Sequence, residues 1–277
     1  MTEQTVSMYC LLDDYLRASR LPGQLPADAR RQLTDAQVLT TALLAARFFG
    51  GRYYLAQQYM EQHWGMNRLD KSGFSRHLQR LEPQLRALMA VLGQVFKESS
   101  TQMSYVIDSF PVAVCHNTRI GRCRLLRGRA YHGRCASKRC WFYGLKVQVV
   151  MTTDGVPVDY YIHAGSEGDI TGLKALSPEL PAGSVLYADA AYTDYAWEDV
   201  FAEATGAQLL AARRGNSKQP HHPAQAFLIQ HYRKGIETEF STLTNRFPKR
   251  IHAVTAQGFA LKLAIFICVH TFHKAGL

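Results

Sequence analysis

The first hundred residues place apolar side chains at a helical period. In "DAQVLTTALLAARFF", one face of the predicted helix carries Val38, Ala42, Ala45 and Phe49. Thr34 and Gln37 have the spacing of a capping box, which predicts that this helix begins just after Thr34. The run "SGFSRHLQRLEPQLRALMAVLGQVFKE" is also helical, and Pro83 predicts a kink or a division within it. Residues 1–100 are therefore predicted to form an all-α N-terminal domain.

The second helical run carries Arg76, His77 and Arg80 before the proline, which predicts one basic side. A helix, a short turn and a basic helix are compatible with a helix-turn-helix that binds DNA. A plain helical bundle would give the same pattern, so both interpretations stay open. We carry DNA-end binding by residues 1–100 forward as a hypothesis.

From residue 101 the pattern changes to that of strands. "SYVIDSF" is a short strand-like run, and "WFYGLKVQVVMTTDGVPVDYYIHA" contains two longer ones joined at Asp154-Gly155, a hairpin signal. "DITGLKAL" predicts a helix, "SVLYAD" a strand, "DYAWEDVFAEAT" a helix ended by Gly206, and "AQLLAAR" a strand. Two more helices are predicted at about 224–247 and 256–273. The order β, β, β, α, β, α, β, α, α predicts a mixed α/β sheet in residues 101–277.

The most apolar stretch, residues 259–272, predicts a buried helix. It is shorter than the roughly 20 residues of a membrane span, and it contains Lys262 and His270. The polar start "MTEQTVSMYC" does not have the apolar segment of a signal peptide. With six cysteines in a chain of this length, we expect free thiols and a cytoplasmic, nucleoid-associated protein.

The charge of the chain favours a polyanionic partner. The formal net charge is +10 and the isoelectric point is near 9.4, which is typical of nucleic-acid-binding proteins but also of other basic proteins. Between Asp108 and Asp154 there is no acidic residue. The basic residues there are Arg119, Arg122, Arg124, Arg127, Arg129, Arg134, Lys138, Arg139 and Lys146. Because like charges repel, this one-sign segment is better explained by DNA phosphates than by a solvated surface.

Aromatic, cysteine and histidine residues lie in the same segment. Four aromatics could stack on bases, although the last three are expected in the core: Tyr131, Trp141, Phe142 and Tyr143. The possible zinc ligands are Cys115, His116, Cys123, His132, Cys135 and Cys140. Cys135 and Cys140 have the spacing of one ligand pair, but Cys115 and Cys123 are too far apart for the other. Free cysteines are favoured over zinc.

Two carboxylates follow or interrupt apolar runs. Asp108 lies in "VIDSFP", where it is either a turn acid, as Pro111 suggests, or an acid within a central strand. Asp189 ends the apolar run of "VLYAD". Strand-end carboxylates lie where α/β sheets bind ligands, and two of them with a third acid would bind Mg²⁺. The candidates for the third acid are Glu198, Asp199, Glu203, Glu237 and Glu239.

Five segments in order resemble insertion-sequence transposases of the DDE superfamily: "IDSFPVAVCHNTRI", "YGLKVQVV", "AGSEGDITGLKAL", "YADAAYTD" and "RKGIETEFSTL". The group with the greatest similarity is the bacterial family whose type element is numbered nine hundred and eighty-two. The resemblance implies an RNase H-like catalytic domain, to which the predicted strand order also corresponds. It further implies two Mg²⁺ or Mn²⁺ ions, cleavage and joining of double-stranded DNA at terminal inverted repeats, and a homodimer on that DNA.

Carried over by the motifs, the resemblance makes Asp108, Asp189 and Glu237 the catalytic, metal-binding acids. They are separated by 81 and 48 residues, and Arg233 keeps the family spacing to Glu237. The motif's tyrosine and lysine positions, which the resemblance would assign to phosphate contacts, hold Gln230 and Thr244 here, with Tyr232 nearby. Glu239 is expected to be a solvated helix acid. Lys146 would contact either a phosphate oxygen or the end of the sheet.

Overall fold

The computed structural model describes residues 1–19, 32–135, 139–248 and 250–276. Its first helices, all before the first strand, are α1 (Thr2–Ala18), α2 (Asp35–Phe48), α3 (Tyr53–Trp64), α4 (Lys71–Arg80) and α5 (Glu82–Ser99). The capping box of α2 is confirmed. Thr34 Oγ1 accepts from the Gln37 backbone N–H at 3.1 Å, and Gln37 Oε1 accepts from the Thr34 N–H at 2.8 Å. Both N–H groups lie at the helix start, where no intrahelical acceptor exists.

The division that Pro83 predicts is confirmed, because α4 ends at Arg80 and α5 begins at Glu82. Pro83 therefore lies in the first turn of α5, where its missing N–H removes no helical hydrogen bond. The predicted basic side of α4 needs a correction. His77 is buried, and its Nε2 lies 2.7 Å from Asp35 Oδ1, so of the three predicted basic residues Arg76 and Arg80 are exposed and His77 is not.

The remaining elements follow the predicted order with one addition. They are β1 (Ser104–Cys115), β2 (His132–Cys135), β3 (Cys140–Thr152), β4 (Pro157–Ala164), α6 (Asp169–Leu176), β5 (Val185–Ala188), α7 (Tyr195–Thr205), β6 (Gln208–Ala211), α8 (Pro223–Asn245) and α9 (Ala256–Lys274). The addition is β2, whose sequence "HGRC" has no apolar alternation. It forms because it pairs with the start of β3. The predicted mixed α/β organisation is confirmed.

The six strands in the described part of the chain form one mixed sheet. Its order is β2-β3-β1-β5-β6, with β4 also paired to β3. The β1–β3 and β3–β4 pairs are antiparallel, and the β1–β5 and β5–β6 pairs are parallel. Gly155 has a φ of 81° in the turn between β3 and β4, a left-handed conformation that favours glycine. The predicted hairpin at Asp154-Gly155 is therefore confirmed.

The chain divides into two compact units. One consists of Met1–Met89 together with Leu243–Leu277, and the other of Ala90–Thr242. In the first unit α9 contacts α2 and α4, and its residues from Leu261 to Phe272 are nearly all buried. Among the described residues α9 is the one helix long and apolar enough to cross a membrane, but most of it is buried in this unit. It is a core helix, as predicted.

The sheet of the second unit has a core on one face and a covering helix on the other. Tyr105 and Ile107 of β1 belong to an apolar cluster with Leu173 of α6 and Phe201 of α7. Because side chains alternate along a strand, Val106, Asp108 and Phe110 lie on the opposite face. There α8 covers the sheet: Tyr232 stacks on Tyr187 with 4.4 Å between ring centroids, and Phe240 meets Phe110 at 5.6 Å. The candidate acids therefore lie on the α8 face.

Candidate active site

Asp108 and Asp189 lie close to each other, the first within β1 and the second just after the neighbouring parallel strand β5. Val106 of β1 is paired with Tyr187 of β5, and each aspartate comes two residues later in the chain. Asp108 is in the interior of β1, paired with Val149 of β3, so the turn interpretation is wrong. Asp189 directly follows β5, and its Oδ1 accepts a hydrogen bond from the Ala191 N–H at 2.7 Å.

The two aspartates are held in an environment that disfavours their charged forms. Burial raises the pKa of Asp108 to about 7, with the charges of Asp189 and Asp169 adding to the effect. The Ser109 N–H, 2.7 Å from Asp108 Oδ1, and the Arg233 guanidinium act in the opposite direction. Burial also raises the pKa of Asp189, against the Ala191 N–H and Arg233. Buried like charges of this kind are stabilised by a cation.

Helix α8 brings Arg233 to both aspartates and presents Glu237 one turn later. The charge of Arg233 lowers the pKa of Asp108 and of Asp189. Glu237 is exposed on α8 between Arg233 and Phe240, whose ring packs against Phe110 of β1. It thus lies on the helix that packs against β1 and β5, but among the described residues it is not grouped with Asp108 and Asp189 closely enough to hold a metal ion.

The structure corrects the expectation for Glu239, which is half-buried rather than solvated. Its carboxyl group lies against the β3–β4 turn, where a Cβ added to Gly155 would be 2.5 Å from Glu239 Cδ. The two glutamates of α8 therefore have different surroundings. Glu237 is open to solvent, and Glu239 packs on a hairpin.

The family-motif positions beside Arg233 also have distinct surroundings. Gln230, at the motif's tyrosine position, is exposed, whereas Tyr232 stacks on Tyr187, two residues before Asp189. An aromatic ring is thus present near the aspartates, although it is displaced by two residues from the motif position. It approaches from the same helix as Arg233.

The acids fit a divalent cation by their chemistry. Among the described residues, no three His, Cys, Asp or Glu side chains are grouped closely enough to hold a metal ion. Asp108 and Asp189 nevertheless offer only oxygen ligands, which Mg²⁺ and Mn²⁺ prefer. Both are partly desolvated, and they repel each other. The bound cation would supply the missing positive charge.

The structure adds a carboxylate that the sequence did not single out. Asp169, the first residue of α6, accepts hydrogen bonds at Oδ1 from Ser109 Oγ at 2.6 Å and from Lys146 Nζ at 3.0 Å. Its backbone carbonyl accepts from Gln148 Nε2 at 3.2 Å. Because acids are common in the first turn of a helix, its position in "SEGDI" gave no distinctive signal. Lys146 was expected to contact either a phosphate oxygen or the end of the sheet. In the structure its ammonium group forms an ion pair with Asp169.

The basic segment forms an exposed surface around a hollow. Its described arginines are all exposed: Arg119, Arg122, Arg124, Arg127, Arg129, Arg134 and Arg139. Lys138 lies outside the described residues. Four of these arginines line a hollow of about 680 Å³ together with His132. The loop that carries these four arginines is anchored at Leu126. The Leu126 side chain is buried, and its carbonyl accepts a hydrogen bond from the Tyr143 hydroxyl at 3.1 Å.

The aromatics of the segment divide between core and surface. Phe142 and Tyr143 are buried, as predicted, but Trp141 is 65 % exposed, so its predicted core position is wrong. The Arg134 guanidinium carbon lies 6.0 Å from the Trp141 ring centroid. The six cysteines are free thiols. Cys115 has a raised pKa, caused first by burial and then by neighbouring Cys123.

The family of the chain is established by comparison with known proteins. The family model of the transposase DDE domain matches residues 97–252, more than half of the chain. The chain belongs to this family. It is therefore a transposase-type enzyme, and its partner is DNA. Enzymes of this family generally use divalent metal ions. No curated protein and no solved structure gives a significant match.

Proposed function

We propose that the protein is the transposase of an insertion sequence. It cleaves DNA at the element's terminal inverted repeats and joins the released 3′-OH ends to target DNA. The observation that carries this proposal is the pair of half-buried aspartates with raised pKa values, Asp108 within β1 and Asp189 directly after the neighbouring parallel strand β5, on the side of the sheet that α8 covers. That helix contributes Arg233 and, one turn later, Glu237.

In this proposal Asp108, Asp189 and Glu237 would hold two Mg²⁺ or Mn²⁺ ions. The ions would supply Lewis-acid charge at the attacking and leaving oxygens of the phosphodiester. The protein's own residues orient the metal-binding carboxylates and offset their negative charge. The Ser109 N–H fixes the Asp108 carboxylate, and Arg233 contributes positive charge beside both aspartates. Catalysis of phosphoryl transfer depends mainly on such positioning and charge stabilisation.

Further features support the finer parts of the proposal. The sheet combines the parallel pairs β1–β5 and β5–β6 with antiparallel pairs among β1 to β4, and α8 covers one of its faces. This arrangement favours an RNase H-like catalytic domain. The five sequence segments favour the family of the element numbered nine hundred and eighty-two. The exposed arginines around the basic hollow favour contacts to DNA phosphates. We further propose that helical residues 1–100 bind the DNA ends, and that the protein acts on them as a homodimer.

A strand-transfer assay tests the proposal. The substrate is a labelled duplex with the inverted repeats that flank the gene, incubated with target DNA and Mg²⁺. The wild type is expected to give cut and joined products. Asp108→Asn, Asp189→Asn and Glu237→Gln are each expected to abolish both products while DNA binding is retained, because each removes a metal-binding carboxylate.

The matched control is Glu239→Gln on the same helix. It is expected to keep the joined product, because Glu239 packs on the β3–β4 turn. Full strand transfer by Glu237→Gln would remove Glu237 from the site. Cut products without joined ones would identify a metal-dependent nuclease, and a shifted but uncut duplex would identify a DNA-binding protein without catalysis.

A further inference from the structure

The first compact unit contains a large cavity that the catalytic proposal does not use. It has a volume of about 810 Å³, within the range of about 300–1,000 Å³ that is usual for ligand pockets. Its walls come from the α2–α3 turn, α3, α4, the segment before α9, and α9 itself. All of its lining residues belong to this one unit.

The cavity is lined by cations and aromatic rings. Its basic residues are Arg52, Arg68, Lys71, Arg250 and Lys262. Among the described lining residues the one acid is Asp70, and its carboxylate already accepts from the backbone N–H groups of Ser72 and Gly73. That acid is therefore engaged in capping α4. The cavity keeps an excess of positive charge.

Lys262 is a half-buried residue of the cavity wall whose ammonium group is held in place. Its Nζ donates to the His252 carbonyl at 2.5 Å and lies 4.7 Å from the centroid of the Tyr53 ring. Burial and the nearby charge of Lys71 lower the pKa of Lys262. An anion in the cavity would compensate both lysine charges.

The rim of the cavity offers an exposed aromatic surface. Tyr54 is 57 % exposed, and the Arg68 guanidinium carbon lies 5.5 Å from its ring centroid. Further in, Tyr53 packs on Phe74 with 5.2 Å between ring centroids. A ligand that combines a planar apolar ring with a negative charge fits this arrangement, and a nucleotide has both.

A neighbouring basic hollow favours an extended anionic ligand over a small one. It is lined by Gly73, Arg76, Gln79, Arg80 and Gln257, so it shares Gln79 with the large cavity and belongs to the same unit. Positive charge therefore continues from the cavity along the exposed side of α4. A free nucleotide would occupy only the cavity, whereas a DNA strand would contact both.

We propose that this cavity receives one unpaired nucleotide of bound DNA, with its base against Tyr54 and its flanking phosphates on the basic residues of the cavity and α4. The proposal rests on the proposed function, because it takes the bound polyanion to be DNA. It goes further by assigning a binding site for a single unstacked nucleotide. An unpaired base costs little to insert, because no base pair must be broken.

The test measures binding of two short duplexes that differ by one nucleotide. One is fully paired, and the other carries a single unpaired 2-aminopurine whose fluorescence reports stacking. The wild type is expected to bind the second duplex about fivefold or more tightly and to change its fluorescence, since stacking of one base on one aromatic side chain contributes an effect of this size. Tyr54→Ala is expected to remove both effects.

The control is Trp64→Ala, which truncates another exposed aromatic residue of α3 that does not line the cavity. It is expected to keep the preference and the fluorescence change. Arg250→Ala provides a second cavity variant and is expected to reduce the preference. Circular dichroism of each variant verifies that the helices are retained.

Two results would overturn this inference without contradicting the proposed function. Equal wild-type affinity for both duplexes, without a fluorescence change, would leave DNA binding intact but remove the nucleotide site. Free deoxyadenosine monophosphate that competes as well as the unpaired duplex would show that no strand is required. Failure of the wild type to bind either duplex would contradict the proposed function itself.

Discussion

At the scale of single residues, Asp108 and Asp189 could be found from the sequence because each interrupts or ends an apolar run. An acid in such a place is costly unless it has a partner, so its presence is informative. Asp169 could not be found in this way, because it begins a helix, where acids are ordinary. Only the structure shows that its carboxylate accepts hydrogen bonds from Ser109 and Lys146.

The pH dependence of stability is a first prediction at this scale. The pKa of Asp108 is about 7 in the folded chain, against an ordinary value of 3.8. Between these values the folded state keeps a proton that the unfolded state has lost. The free energy of unfolding of the metal-free protein should therefore fall as the pH rises through this window and become level above it.

Urea unfolding in EDTA at about pH 5 and about pH 8 measures this effect, which should be on the order of 1–3 kcal/mol. Asp108→Asn should show a smaller difference and higher stability than the wild type at the upper pH. Asp199→Asn, an exposed acid on α7, is the control and should behave like the wild type. Added Mg²⁺ should stabilise the wild type at the upper pH but not Asp108→Asn. An unchanged pH profile in Asp108→Asn would contradict the assignment.

A second prediction concerns the ion pair of Asp169 and Lys146, whose side chains are 20 % and 13 % exposed. Asp169→Asn should lower the free energy of unfolding by about 1–3 kcal/mol, because it leaves a mostly buried lysine without its charged partner. The double variant Asp169→Asn/Lys146→Met should recover part of this loss. Urea unfolding of the two variants and of Lys146→Met measures the coupling, and simple additivity would contradict it.

At the scale of elements, periodicity predicted the helices and the long strands well. It did not predict β2, whose four residues acquire strand geometry only by pairing with β3. It also misassigned His77 and Trp141. Partners distant in sequence decide both: Asp35 pairs with buried His77, and Arg134 and Asn117 contact exposed Trp141. Local pattern contains no information about such partners.

The basic segment gives a third prediction. Arg122→Ala/Arg127→Ala should reduce the slope of the logarithm of DNA affinity against the logarithm of salt concentration by about 1.8, because each phosphate contact contributes about 0.9. The control Lys174→Ala removes one positive charge from α6, outside both the basic segment and residues 1–100, where the lysine pairs with Asp194. This control should leave the slope unchanged. Equal slopes for the two variants would exclude the hollow as a phosphate site.

At the scale of the whole molecule, the sequence indicated a change from helical to strand-like periodicity near residue 100. It did not indicate which distant segments pack together. The first compact unit takes in Leu243–Leu277 from the other end of the chain. Its α9 is buried along one continuous run and contacts α2 and α4. The near-uniform apolar character of α9 indicates burial without naming its partners, so this arrangement required the structure.

The final prediction follows from this arrangement of the first unit. A fragment of residues 1–100 should not unfold cooperatively by itself, because it has lost α9 and exposes the apolar side of α2. Each large apolar side chain that α9 buries contributes about 1.5–3 kcal/mol, so the loss exceeds the stability of a small domain.

Far-UV circular dichroism during urea titration measures the cooperativity of unfolding. The fragment is compared with the same fragment joined by a flexible linker to residues 250–276. The joined fragment should regain a cooperative transition, and Leu263→Ala within it should lower the midpoint because Leu263 is fully buried. A cooperative transition of equal midpoint in the fragment without α9 would show that the unit does not depend on this helix.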